Sequence, residues 1–341
     1  MTRRNDTPAK LEALTDLLKG KSTMLIVLQN NPDADGMAAA MALRKLANKL
    51  KVTCSIACSG TVGRAENRAL VRYVNLKVRE IAEMSPKWFN LIALVDTQPG
   101  QRNSSLPPRI KPQIVIDHHP IRPETRTVAF HDVRSTYGAT ATILYEYLQA
   151  ASIKPDMPLA TALLYGIRSD TQDFGRKAHQ ADIDASAELY GLANKRMLGA
   201  IQRGRVPLEY FRILATGLIN ARNCGRCIYS GLGVVENADM IAEVADLLLR
   251  YEEAEWSLCW GYHAGGALLS VRTISQDLPA DRIVRHIVRH RGSGGGHPSM
   301  AAGQITLAAD TVADRDRLDR LIPRRFLEIT GCDAAVCRRI T

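Results

Sequence analysis

The sequence has no apolar stretch approaching the roughly 20 residues that a membrane span needs. Its polar opening, MTRRNDTPAK, has no hydrophobic segment of the kind that leads a secretory signal. A membrane-embedded or exported protein is therefore not expected, and the expected compartment is the cytoplasm. The seven cysteines are an odd number in a long chain, so buried free thiols are expected rather than a disulfide framework. Cys224 and Cys227 form a C-x2-C and Cys54 and Cys58 a C-x3-C. A zinc site needs a second pair beside the first, and Cys332 and Cys337 lack the spacing of a standard finger half. There is no internal repeat and no low-complexity tract.

What is present points to a packed protein with a polyanionic partner. At 341 residues, 46% of them apolar, the chain is long for one core and comfortable for two domains. The net charge of +10 favours a nucleotide or RNA partner.

Short apolar runs alternate with amphipathic segments over the first half. Strands are expected at 23–28, 52–58, 90–95 and 113–116. Helices are expected at 8–20, 37–50, 66–74, 138–150 and 157–171. This grammar predicts an α/β fold with a mainly parallel sheet flanked by helices. Residues 181–221 read as nearly all helical. Beyond them, a helix at 237–252 capped by Asn237, strands at WSLCWGY and ALLSVRT, a helix at 278–290 and a glycine loop with a helical turn at RGSGGGHPSMAAGQI describe a smaller α/β domain. The expected organisation is a catalytic, metal-binding domain at 1–190, a helical connector at 191–220 and a substrate-binding domain at 221–341, with the active-site cleft between the two domains.

Acids and imidazoles recur where strands end. Asp33 and Asp35 follow the first strand, Asp96 another, and Asp117, His118 and His119 a third; Asp170 closes a helix. In open α/β sheets functional groups gather beyond the carboxyl ends of strands. Asp33 and Asp35, held close in NNPDADG, repel unless a cation lies between them, although Asp and Asn are also common in capping turns. Neighbours in extended backbone point to opposite sides, so His118 and His119 share a task only where a turn redirects one. Mixed Asp and His donors suit hard or borderline ions such as manganese, and two such ions roughly 3.5–4 Å apart serve phosphoester hydrolysis. In GSGGGHPSMAAG, consecutive glycines let backbone N–H groups approach an anion, with His297 as a further donor. Arg272, in SVRT, offers a guanidinium fork to phosphate or carboxylate.

Taken together, NPDADG, ALVD, VIDHHP, GATAT, YGIRSDTQDF, SVRT and GGGHPSMAAG, in this order, resemble the DHH phosphoesterase superfamily with its glycine-rich C-terminal domain. The GGGH element is similar to the branch with nano-RNases, pAp phosphatases, RecJ-type nucleases and cyclic-dinucleotide phosphodiesterases, and unlike the family II inorganic pyrophosphatases. The resemblance implies one ion held by Asp33 and Asp96 and another by Asp35, Asp96, His118 and Asp170. It places His119 on the scissile phosphate and Asp117 behind an imidazole. Arg272, Gly294, Gly295, Gly296 and His297 would hold the distal phosphate or nucleotide. The implied activity is manganese-dependent hydrolysis of short RNA or nucleotide substrates, and a homodimer is compatible with it. The family usually has histidine where this chain has Gln29. A neutral amide is a poorer transition-metal ligand, so a weaker first ion, or a nucleotide-binding regulatory protein of low turnover, is the rival expectation.

Overall fold

The computed structural model describes residues 6–101, 103–307 and 309–341 and divides into two units, Met1–Arg205 and Val206–Thr341. The first unit runs α1 (Thr7–Leu18), β1 (Thr23–Val27), α2 (Ala34–Lys49), β2 (Thr53–Cys58), α3 (Ala65–Tyr73), β3 (Val78–Glu80), β4 (Leu91–Val95), β5 (Ile114–Asp117), β6 (Phe130–Val133), α4 (Thr140–Ala150), α5 (Met157–Asp170), α6 (Gln180–Leu192) and α7 (Lys195–Gln202). Its six strands form a parallel sheet ordered β3-β2-β1-β4-β5-β6. The order reverses direction between β1 and β4, which opens a crevice beyond their carboxyl ends.

Alternation along β1 sorts its side chains onto two cores. Met24 and Ile26 join the core built with α2, α4 and α5, whereas Leu25 and Val27 face Ile92, Leu94, Leu106 and Val115. Alanines at 34, 38, 39, 40 and 42 keep α2 thin and buried, so neighbouring helices approach closely. At Gly166 of α5 an added Cβ would lie 3.0 Å from Ala34 O and 3.1 Å from Asp35 Cα. That crossing brings α5 against the start of α2, one turn before Asp170.

The second unit comprises α8 (Leu208–Ile219), β7 (Arg222–Cys224), β8 (Cys227–Val234), α9 (Asp239–Leu248), β9 (Trp256–His263), β10 (Gly266–Thr273), α10 (Ala280–Val288), β11 (Gly292–Gly296), β12 (Met300–Thr306), α11 (Val312–Thr330) and β13 (Arg338–Arg339). Its sheet is ordered β11-β12-β10-β9-β8-β7-β13, antiparallel except between β8 and β9. Leu258 and Trp260 face α10 and α11; Cys259, between them, faces α9.

The stretch 181–221 is nearly all helical, as expected, and falls into three helices, because Asn194 caps α7 by accepting from Met197 N–H (3.0 Å) and Pro207 starts α8; α7 belongs to the first unit and α8 to the second. Other expectations are corrected. Ala238, not Asn237, is the cap residue of α9, while Asn237 Oδ1 accepts from Asp239 N–H at 3.0 Å. The glycine tract is strand β11 paired with β12 rather than a loop with a helical turn. Against the expectation of isolated free thiols, Cys224 meets Cys337 and Cys227 meets Cys332 sulfur to sulfur, while Cys54, Cys58 and Cys259 are free. The pairing of β13 with β7 carries the tail back to the hairpin, a proximity that spacing along the chain does not reveal. No helix among the described residues is long and apolar enough to cross a membrane.

Candidate metal centre

Asp35 stands in the first turn of α2 and is 1% exposed. Its two carboxylate oxygens accept from Thr140 N–H and Ala141 N–H, both at 2.7 Å. These are amides of the first turn of α4, which have no partner within their own helix and favour a negative charge. Asp33 is the cap residue of the same α2 and accepts from Gly36 N–H at 3.0 Å, so the capping geometry and the placement beside the other acids coexist.

Asp96 follows β4 in the left-handed region, with φ of 59°, a conformation costly for a residue with a Cβ and concentrated at functional sites. Its oxygens accept from Thr140 Oγ1 and Gln29 Nε2, each at 2.9 Å. Asp117 ends β5 fully buried, and its contacts saturate it. Oδ1 accepts from the backbone N–H groups of His118 (2.8 Å) and His119 (3.1 Å) and lies 2.8 Å from His119 Nδ1; Oδ2 accepts from Gln98 Nε2 at 2.7 Å. The turn after β5 does redirect the imidazoles: the two rings lie 4.4 Å apart, near edge to face.

His118 Nδ1 sits 3.3 Å from Tyr137 O, which directs Nε2 inward, 3.2 Å from Asp170 Oδ2 and 3.6 Å from Asp96 Oδ1. A ring nitrogen anchored on a carbonyl, with its partner nitrogen facing acids, is the arrangement of a ligating histidine. Asp170 Oδ1 meets Arg176 at 3.1 Å. Two groups of donors lie within 4.8 Å of one another: Asp35, His118 and Asp170, and Asp96, Asp117, His118 and His119. His118 is common to both. Asp33 is in neither group, although its charge acts on Asp35, Asp96 and Asp170.

Electrostatics make the cluster unfavourable without a cation. Burial, then the charges of neighbouring acids, pushes the Asp35 and Asp96 carboxyls well above the usual range. Burial likewise raises Asp170, with Asp33 adding to it against the opposing His118. Burial also pushes His118 down, toward the neutral imidazole a metal needs. For the Asp117–His119 pair burial opposes both charges, but the hydrogen bond between them wins: Asp117 is held low and His119 high. Gln29 Oε1 and Asp170 Oδ2 are buried oxygens with no hydrogen-bond partner among the described residues. Orphaned oxygens amid raised carboxyls fit a hard divalent ion.

Three further participants are not among the expected site residues. Thr140, Gln98 and Tyr137 position Asp35, Asp96, Asp117 and His118 through the bonds above. GATAT, small residues entering a helix, was the available signal for Thr140; an ordinary glutamine and a backbone carbonyl carry none.

The remaining candidates belong to the second unit. Arg272 is 7% exposed, and its Nε and Nη1 donate to Asp246 (2.5 Å), Ser270 Oγ (2.6 Å) and Val271 O (3.1 Å). The fork expected for phosphate is thus engaged by an acid of its own unit. Arg272 pairs with Met300 across the sheet, and His297 N–H donates to Met300 O at 2.7 Å, so both lie at one end of β10 and β12. Gly294 has a packing reason: a Cβ there would meet Val284 Cγ1 at 2.3 Å. Gly296, with φ of 156°, has one too, at 2.5 Å from Ala301 Cα. A Cβ on Gly295 would meet nothing within 4 Å.

The DHH family, N-terminal domain, matches residues 23–167, and the DHHA1 domain matches residues 225–322. The chain belongs to the DHH superfamily. An uncharacterized protein of Methanocaldococcus jannaschii is 32% identical over 91% of this chain and 65% of its own length. A probable manganese-dependent inorganic pyrophosphatase of Bacillus pumilus is 28% identical over 50% of this chain and 55% of its own. The DHH chain thus spans a little over half to about two thirds of the lengths of these relatives. Among solved structures, an exopolyphosphatase-related protein from Bacteroides fragilis superposes with a TM-score of 0.72 at 11% identity, covering 94% of this chain and 98% of that one. RecJ from Thermus thermophilus, in complex with Mn2+, superposes with a TM-score of 0.55 at 13% identity, covering 94% and 55%. These likenesses establish the fold.

Proposed function

We propose that this chain is a divalent-metal-dependent phosphoesterase acting on short nucleotides: oligoribonucleotides, dinucleotides or pAp, with manganese as the working ion. The observation that carries the reading is the meeting of His118 Nε2 with Asp170 and Asp96 at the carboxyl edge of the parallel sheet. Asp35, Asp96, His118 and Asp170, with Asp33 beside them, would hold the ions. Bound there, divalent ions supply activation of water and neutralise charge developing at phosphorus. His119, whose proton affinity the Asp117 hydrogen bond raises, would bind a phosphoryl oxygen through its other ring nitrogen, and Tyr137 O would keep His118 in its ligating tautomer. Arg272, Gly294, Gly295, Gly296 and His297 are assigned to recognition of a distal phosphate. The basic charge and the exopolyphosphatase-related and RecJ folds support a phosphate-rich substrate, while the pyrophosphatase relatives make pyrophosphate the control that must be run.

One observation favours a second reading, a nucleotide-binding protein of weak turnover. Gln29 turns its amide N–H, not its oxygen, toward Asp96, so an ion there must first rotate the amide. A manganese-supplemented panel of pAp, a dinucleotide RNA, a cyclic dinucleotide and pyrophosphate tests both. Turnover of pAp or dinucleotide RNA, lost in Asp96→Ala, is expected. Pyrophosphate as the sole substrate would end the nucleotide assignment; tight nucleotide binding without turnover would favour the second reading, and Gln29→His should then restore activity.

A further inference from the structure

We propose that Cys224, Cys227, Cys332 and Cys337 together hold one structural zinc ion as thiolates, at a corner of the second unit remote in sequence from the acidic cluster. Two cysteine pairs, each joining two distant segments, lie side by side there. Cys224 and Cys227 face each other across the tip of the β7–β8 hairpin, whose turn passes through Gly225 with φ of 65°. Cys332 follows Gly331, the left-handed residue that ends α11, and Cys337 immediately precedes β13. The two segments meet sulfur to sulfur, Cys224 with Cys337 and Cys227 with Cys332, at Cα–Cα separations of 4.2 and 6.6 Å.

Two disulfides and one tetrathiolate ion are alternative chemical states of this corner, and three features favour the ion. Each segment is a chelating pair, C-x2-C on a hairpin and C-x4-C in a turn; the second is wider than a standard finger half, but it is the upper limit for structural zinc sites, and the fold brings the first pair beside it. The charge around it is of the right sign. Arg339 lies directly opposite Arg222 in the β13–β7 register, two steps from the Cys224–Cys337 position, and Arg338 lies one step from it. Like charges facing across a two-residue edge strand are destabilising. Zinc with four thiolates carries two negative charges and offsets them, which a neutral disulfide does not. Finally, apolar burial does little to hold the tail: Val336 and Ile340 are 51% and 41% exposed. A metal link supplies what a core would otherwise provide. Binding converts four thiols and Zn2+ to the tetrathiolate with release of four protons, and no electron is transferred.

The test uses the full chain, purified under reducing conditions without chelator, with metals quantified by mass spectrometry. One zinc per chain is expected, released by a mercurial thiol reagent. Replacement with cobalt should give sulfur-to-cobalt charge transfer and tetrahedral d–d bands. Cys227→Ser paired with Cys332→Ser should lose the zinc. Should that variant not fold, Asp96→Ala decides instead, because it removes an acidic-cluster ligand and should retain the zinc in full. Zinc lost in Asp96→Ala would overturn the assignment, as would iron with acid-labile sulfide. So would a zinc-free chain, whether it titrates with seven free thiols or with mapped Cys224–Cys337 and Cys227–Cys332 disulfides.

Discussion

Asp35, Asp96 and Asp170 in the first unit and Arg272 in the second are all charged groups drawn into the protein, but their surroundings differ. Arg272 has its counter-charge in place, Asp246 at 2.5 Å. The three acids of the first unit face one another and Asp33, and burial and mutual repulsion raise their proton affinity. A paired ion has its charge balanced within the fold. A repelling cluster held open by backbone amides and a strained Asp96 stays unfavourable until a cation enters. Arg272 is thus balanced before any ligand arrives, and the three acids are not.

Asp96→Ala separates the two kinds of charged group most clearly. Phosphoester turnover with manganese should fall by about 10³-fold or more, while the melting temperature of the metal-free chain holds or rises, because a repelling acid has gone. A chain that unfolds yet retains turnover per folded molecule would place Asp96 among the structural groups. Metal and pH come next. The folded state binds the protons of Asp35, Asp96 and Asp170 more tightly than the unfolded chain does. Their contribution to stability is therefore complete below the ordinary carboxylate value near 3.8 and is lost as pH rises through the raised folded values. Manganese at about 100 times its dissociation constant should raise the melting temperature by roughly 5–10 °C at neutral pH, and by less as the solution is acidified. A manganese shift independent of pH would contradict the raised proton affinity of Asp35, Asp96 and Asp170.

Smaller effects separate packing from recognition in the second unit. Gly294→Ala should cost about 1–3 kcal/mol by overpacking against Val284, read as a lower denaturation midpoint. Gly295→Ala should leave stability unchanged, so any rise in KM from it reports an approaching ligand. His297→Ala should raise KM about tenfold for substrates with a distal phosphate. An equal fall in kcat on every substrate would remove His297 from recognition.

The strand ends were legible because apolar runs announce buried strands: Asp96, Asp117 and His118 end such runs abruptly, and Asp33 and Asp35 stand in the polar turn that follows another. Asp170 needed the helix to be recognised and its end to be set within a residue. The glycine tract looked uniform, yet two of its residues answer to neighbouring side chains and backbone and one to open space, a difference that only tertiary packing creates. Helix α11 went unannounced: Leu318, Ile322 and Phe326 repeat every fourth residue on its buried face, but arginines and aspartates dominate the stretch, and Pro323 sits inside it. The four-cysteine corner was invisible for a related reason. Its halves lie more than 100 residues apart, and only the sheet edge unites them.

Gly166 leaves one more consequence. With Ala34 O and Asp35 Cα about 3 Å from where its Cβ would be, the helix pair works as a calliper whose jaws are Asp35 and Asp170. The gauge is set by backbone against backbone rather than by supple side chains, so in the proposed metal centre Gly166 would govern the ionic radius without touching the ion. Gly166→Ala should widen the jaws and shift preference toward larger cations while removing no ligand side chain.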